Sequence, residues 1–183
     1  MTVTVPDDVE AVVYDLDGTL VRLTVDWQAV EADIAEVLQT EDVDPAGLDA
    51  WAMLDAAEGV GVESEVESLI AAAERDGAHE SRRLAFADEI ETRLPIGVCS
   101  LNCEEACRIA LAKHDLDGVM QSVVGRDSVP ERKPAPEPLL AAVEELGATP
   151  EHTLFVGDSA GDEEAAERAG TQFSYVGDGP TSY

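Results

Sequence analysis

Positive charge is what this sequence has least of. Lysine and arginine together number 11 against 40 aspartates and glutamates, a formal net charge of −29 over 183 residues. Lysine occurs only at Lys113 and Lys133. So small a basic complement excludes a nucleic-acid-binding surface, which needs a positive face. The acids are spread through every segment rather than gathered in a tail, and 45% of the residues are hydrophobic, too many for a disordered acidic chain. The pattern fits a protein of a salt-rich cytosol, where dissolved ions screen the self-repulsion. Long apolar runs are missing too. No stretch would span a bilayer, and Met1–Asp8 has neither the basic end nor the apolar run of a signal peptide. A cytoplasmic location with no membrane partner is expected. Cysteine is limited to Cys99, Cys103 and Cys107. An odd, clustered set argues against a disulfide framework. The last two stand four apart on an expected helix, so a metal site is conceivable, but buried small hydrophobes are the preferred reading.

What is present is organised around Tyr14-Asp15-Leu16-Asp17-Gly18-Thr19-Leu20. The apolar run Ala11–Tyr14 reads as a buried strand, and it ends in two carboxylates one residue apart. Ligands of open α/β sheets sit outside the carboxyl ends of the strands. A carboxylate there can attack phosphorus or hold a hard cation, and two so close need a cation or a shared proton to coexist. Alone, the tetrapeptide Asp15-Leu16-Asp17-Gly18 favours the plainer reading of an acidic turn after a strand.

From Asp26 to about Leu94 only helical periodicity is visible. Asp26 is expected to cap a helix carrying Trp27, Val30, Ile34 and Leu38. Asp44-Pro45 reads as the start of a second helix through Leu48, Trp51 and Leu54, ended by Gly59-Val60-Gly61. A third runs through Val66, Leu69 and Ile70 toward Gly77, and a fourth through Leu84, Phe86, Ile90 and Leu94. Together they would form a small bundle. Beyond Pro95, strands at Ile96–Cys99, Ser122–Val124, Thr153–Val156 and Phe173–Val176 alternate with helices. This alternation predicts an α/β fold, a parallel sheet with helices on both faces. The strand ends would bring Asp15, Asp17, Ser100 and Asp158 to one rim. At this length the chain suits one domain, or a core at 1–20 and 95–183 with an inserted subdomain at 21–94.

Four stretches in order carry a resemblance: Asp15-Leu16-Asp17-Gly18-Thr19, then Ser100, then Lys133-Pro134, then Gly157-Asp158-Ser159-Ala160-Gly161-Asp162. The chain resembles the haloacid dehalogenase-like (HAD) superfamily, in its phosphoglycolate phosphatase-like branch. The resemblance implies a Rossmann-like core with a helical cap, and a phosphatase of a small phosphorylated metabolite. It implies that Asp15 is the nucleophile. Asp17 would protonate the leaving oxygen and then activate water. Mg²⁺ would be held by Asp15, the Asp17 carbonyl and Asp158, with Asp162 helping. Ser100, Lys133 and backbone N–H groups near Gly18 would bind the transferring oxygens. One departure stands out. Many relatives have asparagine directly after the second-motif serine, whereas here Leu101 intervenes before Asn102.

The resemblance also makes residues 21–94 a cap that reads the leaving group. Dehalogenases lack the second acid, which is present as Asp17, and phosphonate-cleaving members need a cap lysine, of which residues 21–94 have none. A sugar-phosphate mutase remains an alternative, as does a non-catalytic binding protein on the same scaffold, the latter disfavoured because every motif acid is retained. Arg82 or Arg83 is expected to reach an anionic leaving group, against the plainer reading of a solvated helix face. Monomer and small homo-oligomer both stay open.

Overall fold

The computed structural model describes residues 3–177. Its centre is a five-stranded, all-parallel sheet in the order β5-β4-β1-β6-β7. The strands are β1 (Ala11–Tyr14), β4 (Ile96–Cys99), β5 (Ser122–Val124), β6 (Thr153–Gly157) and β7 (Gln172–Tyr175). The three central strands β1, β4 and β6 are buried throughout, which is why they read as continuous apolar runs rather than alternating ones. Helices α4 (Glu104–Lys113), α5 (Glu137–Glu145) and α6 (Ala160–Ala169) join them. Two apolar clusters fill the space beside the sheet. One contains Val12, Tyr14, Leu111 and Val156, and the other Val13, Leu139, Val143 and Phe155. Alternate residues of β1 thus belong to opposite faces, as the period of a strand requires. The α/β reading of the sequence is correct.

Helices α1 (Trp27–Thr40), α2 (Ala50–Val60) and α3 (Glu63–His79) surround an apolar cluster of their own, built on Ile34, Leu38, Leu54, Val66 and Ile70. Each of the first two is capped by an aspartate: Asp26 accepts from the Ala29 N–H at 3.2 Å and Asp49 from the Ala52 N–H at 2.9 Å. The second helix therefore starts at Asp49, not at Asp44-Pro45. Asp44 instead closes a tight turn onto the Ala46 N–H at 3.0 Å.

The fourth expected helix is absent. Arg82–Arg83 forms a two-residue strand, β3, antiparallel to β2 (Val21–Arg22). A short 3₁₀ turn at Ala85–Asp88 follows, and then irregular chain. Pairing with β2 and the bond from the Leu84 N–H to the Leu20 carbonyl at 3.0 Å hold this stretch extended. Phe86 and Ile90 still pack into the sheet's core, with the Phe86 ring edge-on to Tyr14 at 6.1 Å. Their spacing mimicked a helical stripe. No helix of the described residues is long and apolar enough to cross a membrane.

Candidate active site

The carboxyl ends of β1, β4 and β6 deliver Asp15, Ser100 and Asp158, all buried, to one rim of the sheet. The Asp15 N–H bonds the Val156 carbonyl at 2.8 Å, continuing the β1–β6 ladder to the point where the side chain leaves it. Lys133, from the loop before α5, is buried among them. Its Nζ donates to Asp15 Oδ1 at 2.8 Å, to Asp162 Oδ1 at 2.5 Å and to the Cys99 carbonyl at 3.1 Å, using its three donors. Asp162 sits in the first turn of α6, where its Oδ2 accepts from the Ser159 N–H at 3.1 Å and hydroxyl at 2.6 Å in a reciprocal capping box. Glycine at 157 permits this approach, because a Cβ there would lie 2.7 Å from the Asp162 carboxyl carbon.

Oxygens of Asp15, Asp158 and Asp162 lie within 4.8 Å of one another. Three carboxylates share one ammonium, which leaves two negative charges to be neutralised by protons or by a divalent cation. The donor set is all oxygen, the set that a hard cation such as Mg²⁺ takes. Without a cation, burial pushes the Asp15 carboxyl up to about 8; Lys133 pulls against this, and the Asp162 charge adds to it. Burial also raises Asp162, but Lys133 and the Ser159 bonds outweigh it and hold that carboxyl below its ordinary value. Burial raises Asp17 too, opposed by the bond it accepts from the Leu23 N–H at 2.9 Å and by Arg22, 3.9 Å from the same oxygen.

These residues line a cavity of about 630 Å³ that also includes Ser100, Asn102 and a wall from α1 and α2. Asp15, Asp17, Ser100, Lys133, Asp158 and Asp162 are therefore brought together. Gly18 is not among the lining residues. It turns the chain with φ +92°, and its own N–H is already donated to the Val21 carbonyl at 2.8 Å. Arg82 and Arg83 do not reach the cavity either. Both lie on β3, and Arg83 is held by Asp88 at 2.9 Å and by the His114 carbonyl at 2.6 Å. A separate cleft of about 390 Å³ beside Val3, Phe86 and Arg93 shares no residue with the acid cavity.

Asn102, displaced by one residue, turns to structure. Its Oδ1 accepts from the Ser100 hydroxyl at 3.1 Å and its Nδ2 donates to Glu74 at 3.3 Å. Glu74, on α3, is fully buried and ion-paired to Arg126 at 2.6 Å. Sequence reading missed this pair. A signal was present: Val66, Ile70, Glu74 and Ala78 step by four along the buried stripe of α3, so a glutamate there needs a buried cation. Also missed as site residues were Trp27, Glu31, Asp49 and Trp51. They read as ordinary helix residues because nothing local says that the amino ends of α1 and α2 face the acids. All three cysteines are buried and unpaired, and burial pushes Cys99 up to about 12 and Cys103 up to about 11, as expected of packing residues.

With this geometry in hand, similarity to known proteins decides the family. The family model of haloacid dehalogenase-like hydrolases matches residues 12–176. The chain belongs to that family. It is thus a hydrolase, and its curated relatives include phosphoglycolate phosphatases and pyrophosphatases. It is 30% identical to a phosphoglycolate phosphatase of Cereibacter sphaeroides, covering 92% of this chain and 85% of that protein. A phosphoglycolate phosphatase of Aquifex aeolicus is 42% identical over 77 residues, which span 42% of this chain and 36% of the relative. Among solved structures, a HAD-superfamily hydrolase of subfamily IA from Geobacter sulfurreducens superposes with a TM-score of 0.60 at 25% identity, covering 91% of this chain and 86% of that one.

Proposed function

We propose that this protein is a Mg²⁺-dependent phosphatase that hydrolyses a small phosphomonoester through an aspartyl phosphate on Asp15. The observation that carries the reading is the Lys133 cluster. A strand-end carboxylate sits against a buried ammonium at 2.8 Å, with two further carboxylates close by, at the floor of a cavity large enough for a small ester. Asp15, Asp158 and the Asp17 backbone carbonyl would hold the cation. Asp162, both of whose oxygens are engaged by Lys133 and Ser159, would contribute through water. Bound there, Mg²⁺ supplies charge neutralisation and orientation of the phosphoryl oxygens.

In the first half-reaction an Asp15 oxygen bonds to phosphorus as the ester P–O bond breaks, and Asp17 gives its proton to the departing oxygen. In the second, Asp17, now a carboxylate, takes a proton from a water as that water bonds to phosphorus. The Asp15–phosphorus bond then breaks to release inorganic phosphate. The bond from the Leu23 N–H engages one Asp17 oxygen and leaves the other for proton transfer. Lys133, whose donors are taken, would act on the transferring oxygens through its charge, and Ser100, whose one proton now goes to Asn102, would turn it to a phosphoryl oxygen when the ester binds.

Release of inorganic phosphate from p-nitrophenyl phosphate tests this reading. Turnover is expected to need Mg²⁺ and to vanish in Asp15→Asn, because no other carboxylate can take the nucleophile's place. Metal-independent turnover, or an active Asp15→Asn protein, contradicts it.

A further inference from the structure

The cap wall of the cavity consists of Trp27, Glu31, Asp49, Ala50 and Trp51, and the one cation lining the cavity anywhere among the described residues is Lys133 on the floor. We propose that the leaving group carries a positively charged amine, recognised by the Trp27–Trp51 pair and the Glu31 and Asp49 carboxylates. This rests on the phosphatase reading above and narrows it to a class of substrate.

Three observations point this way. First, the wall has carboxylates and no partner for an anion, although Arg75, Arg82, Arg83 and Arg93 all lie within the expected cap. Arg22 stands 3.9 Å from Asp17 and does not line the cavity. Arg126 lies 5.2 Å from the Trp51 ring, but all five of its N–H groups are taken by Glu67, Glu74 and the Leu101 carbonyl. Second, the positive ends of α1 and α2 face this region, yet each is already met by its own aspartate, Asp26 and Asp49. Each aspartate takes one N–H, from Ala29 and Ala52, so its charge weakens the pull of these helix ends on an incoming carboxylate. Third, the two tryptophans of the chain stand together here, with ring centroids 5.8 Å apart. Aromatic faces beside carboxylates attract ammonium groups. Glu31, half-buried, has no hydrogen bond or ion pair with any described residue, so its charge is available to a ligand.

Three esters of similar size separate the classes: O-phosphoethanolamine, n-propyl phosphate and phosphoglycolate, at constant ionic strength with Mg²⁺. The amine ester is expected to exceed the neutral one in kcat/KM by about tenfold, with the anionic ester below both. Glu31→Gln should lower the amine-to-neutral ratio about threefold or more. Because both tryptophans line the cavity, their fluorescence in Asp15→Asn reports binding of the same three esters without turnover, and the same order of affinity is expected. If the wild type hydrolyses no ester, including p-nitrophenyl phosphate, the phosphatase reading fails while the fluorescence order still decides the ligand class. Phosphoglycolate equal to or better than the amine ester, or an amine-to-neutral ratio unchanged in Glu31→Gln, overturns the proposal.

Discussion

Two buried ion clusters stand a short way apart in this molecule, and they differ in one respect. Arg126 joins Glu67 and Glu74 of α3 to the loop after β5, and every donor it has is used. Glu74 also accepts from the Cys103 N–H at 2.9 Å, at the start of α4, so both its oxygens are satisfied. Glycine at 125 lets that loop close on α4, since a Cβ there would meet the Glu104 nitrogen at 2.2 Å. Burial pulls the Arg126 guanidinium down, but the bonds it donates to Glu74 and Glu67 outweigh this and hold it above its ordinary value. Lys133 likewise spends all its donors, yet it leaves three carboxylates sharing one ammonium beside an open cavity. A saturated cluster fixes one element to another. An under-neutralised cluster facing a cavity has the charge and the space that the proposed cation and ester would need.

The largest effect that would sharpen this contrast is on chemistry at the rim alone. Asp17→Asn is expected to lower turnover of an alkyl phosphate by about 10²–10⁴, the usual worth of acid–base help. The loss should be smaller with p-nitrophenyl phosphate, whose leaving group needs little protonation. Equal losses for the two esters, with single-turnover data placing chemistry as the slow step, would make Asp17 a positioning residue.

Next in size is the stability held by the other cluster. Arg126→Met leaves Glu74 buried and uncompensated, and is expected to destabilise the fold by about 3–5 kcal/mol in a denaturant titration. Arg126→Met combined with Glu74→Leu should recover much of that loss, since the fully buried carboxylate is then gone and Glu67, whose side chain is 30% exposed, can turn to solvent. If the double variant were as unstable as the single one, the pair would not be the reason for the loss.

The smallest effect concerns the charges that neither cluster contains. With a net charge of −29, the fold is expected to melt at a higher temperature in molar KCl than near 0.1 M, as the screening length falls from about 10 Å to about 3 Å. The Arg126→Met penalty, lying in a buried pair, should be the same at both salts. Equal melting temperatures for the wild type would refute the screening argument.

The same contrast explains what could be read in advance. The rim was legible because β1, β4 and β6 are short buried runs, each followed at once by a polar residue, and a parallel sheet places all such ends on one side. Lys133 stood out as one of two lysines in an acidic chain. The attachment of the α1–α3 segment to the sheet was not legible. β2 and β3 have two residues each, too few to show a period, and Leu84–Leu94 has helical spacing that packing against the sheet satisfies without a helix. Arg126 and Glu74 are 52 positions apart, and only the fold makes them partners. The aromatic and acidic wall escaped notice for a similar reason: Trp27 and Trp51 lie on different helices, each beside its own apolar stripe.

The contrast between the clusters is tested most directly by Mg²⁺-dependent thermal melting at constant ionic strength. The account predicts that Mg²⁺ raises the melting temperature of the wild type in a saturable way, since a cation bound only by the folded state stabilises it by about 2.7 kcal/mol at a hundred times its dissociation constant. The rise should disappear in Asp158→Asn, at the rim, and persist in Glu67→Gln, in the Arg126 cluster. No rise in the wild type, or a rise that survives Asp158→Asn, would contradict it.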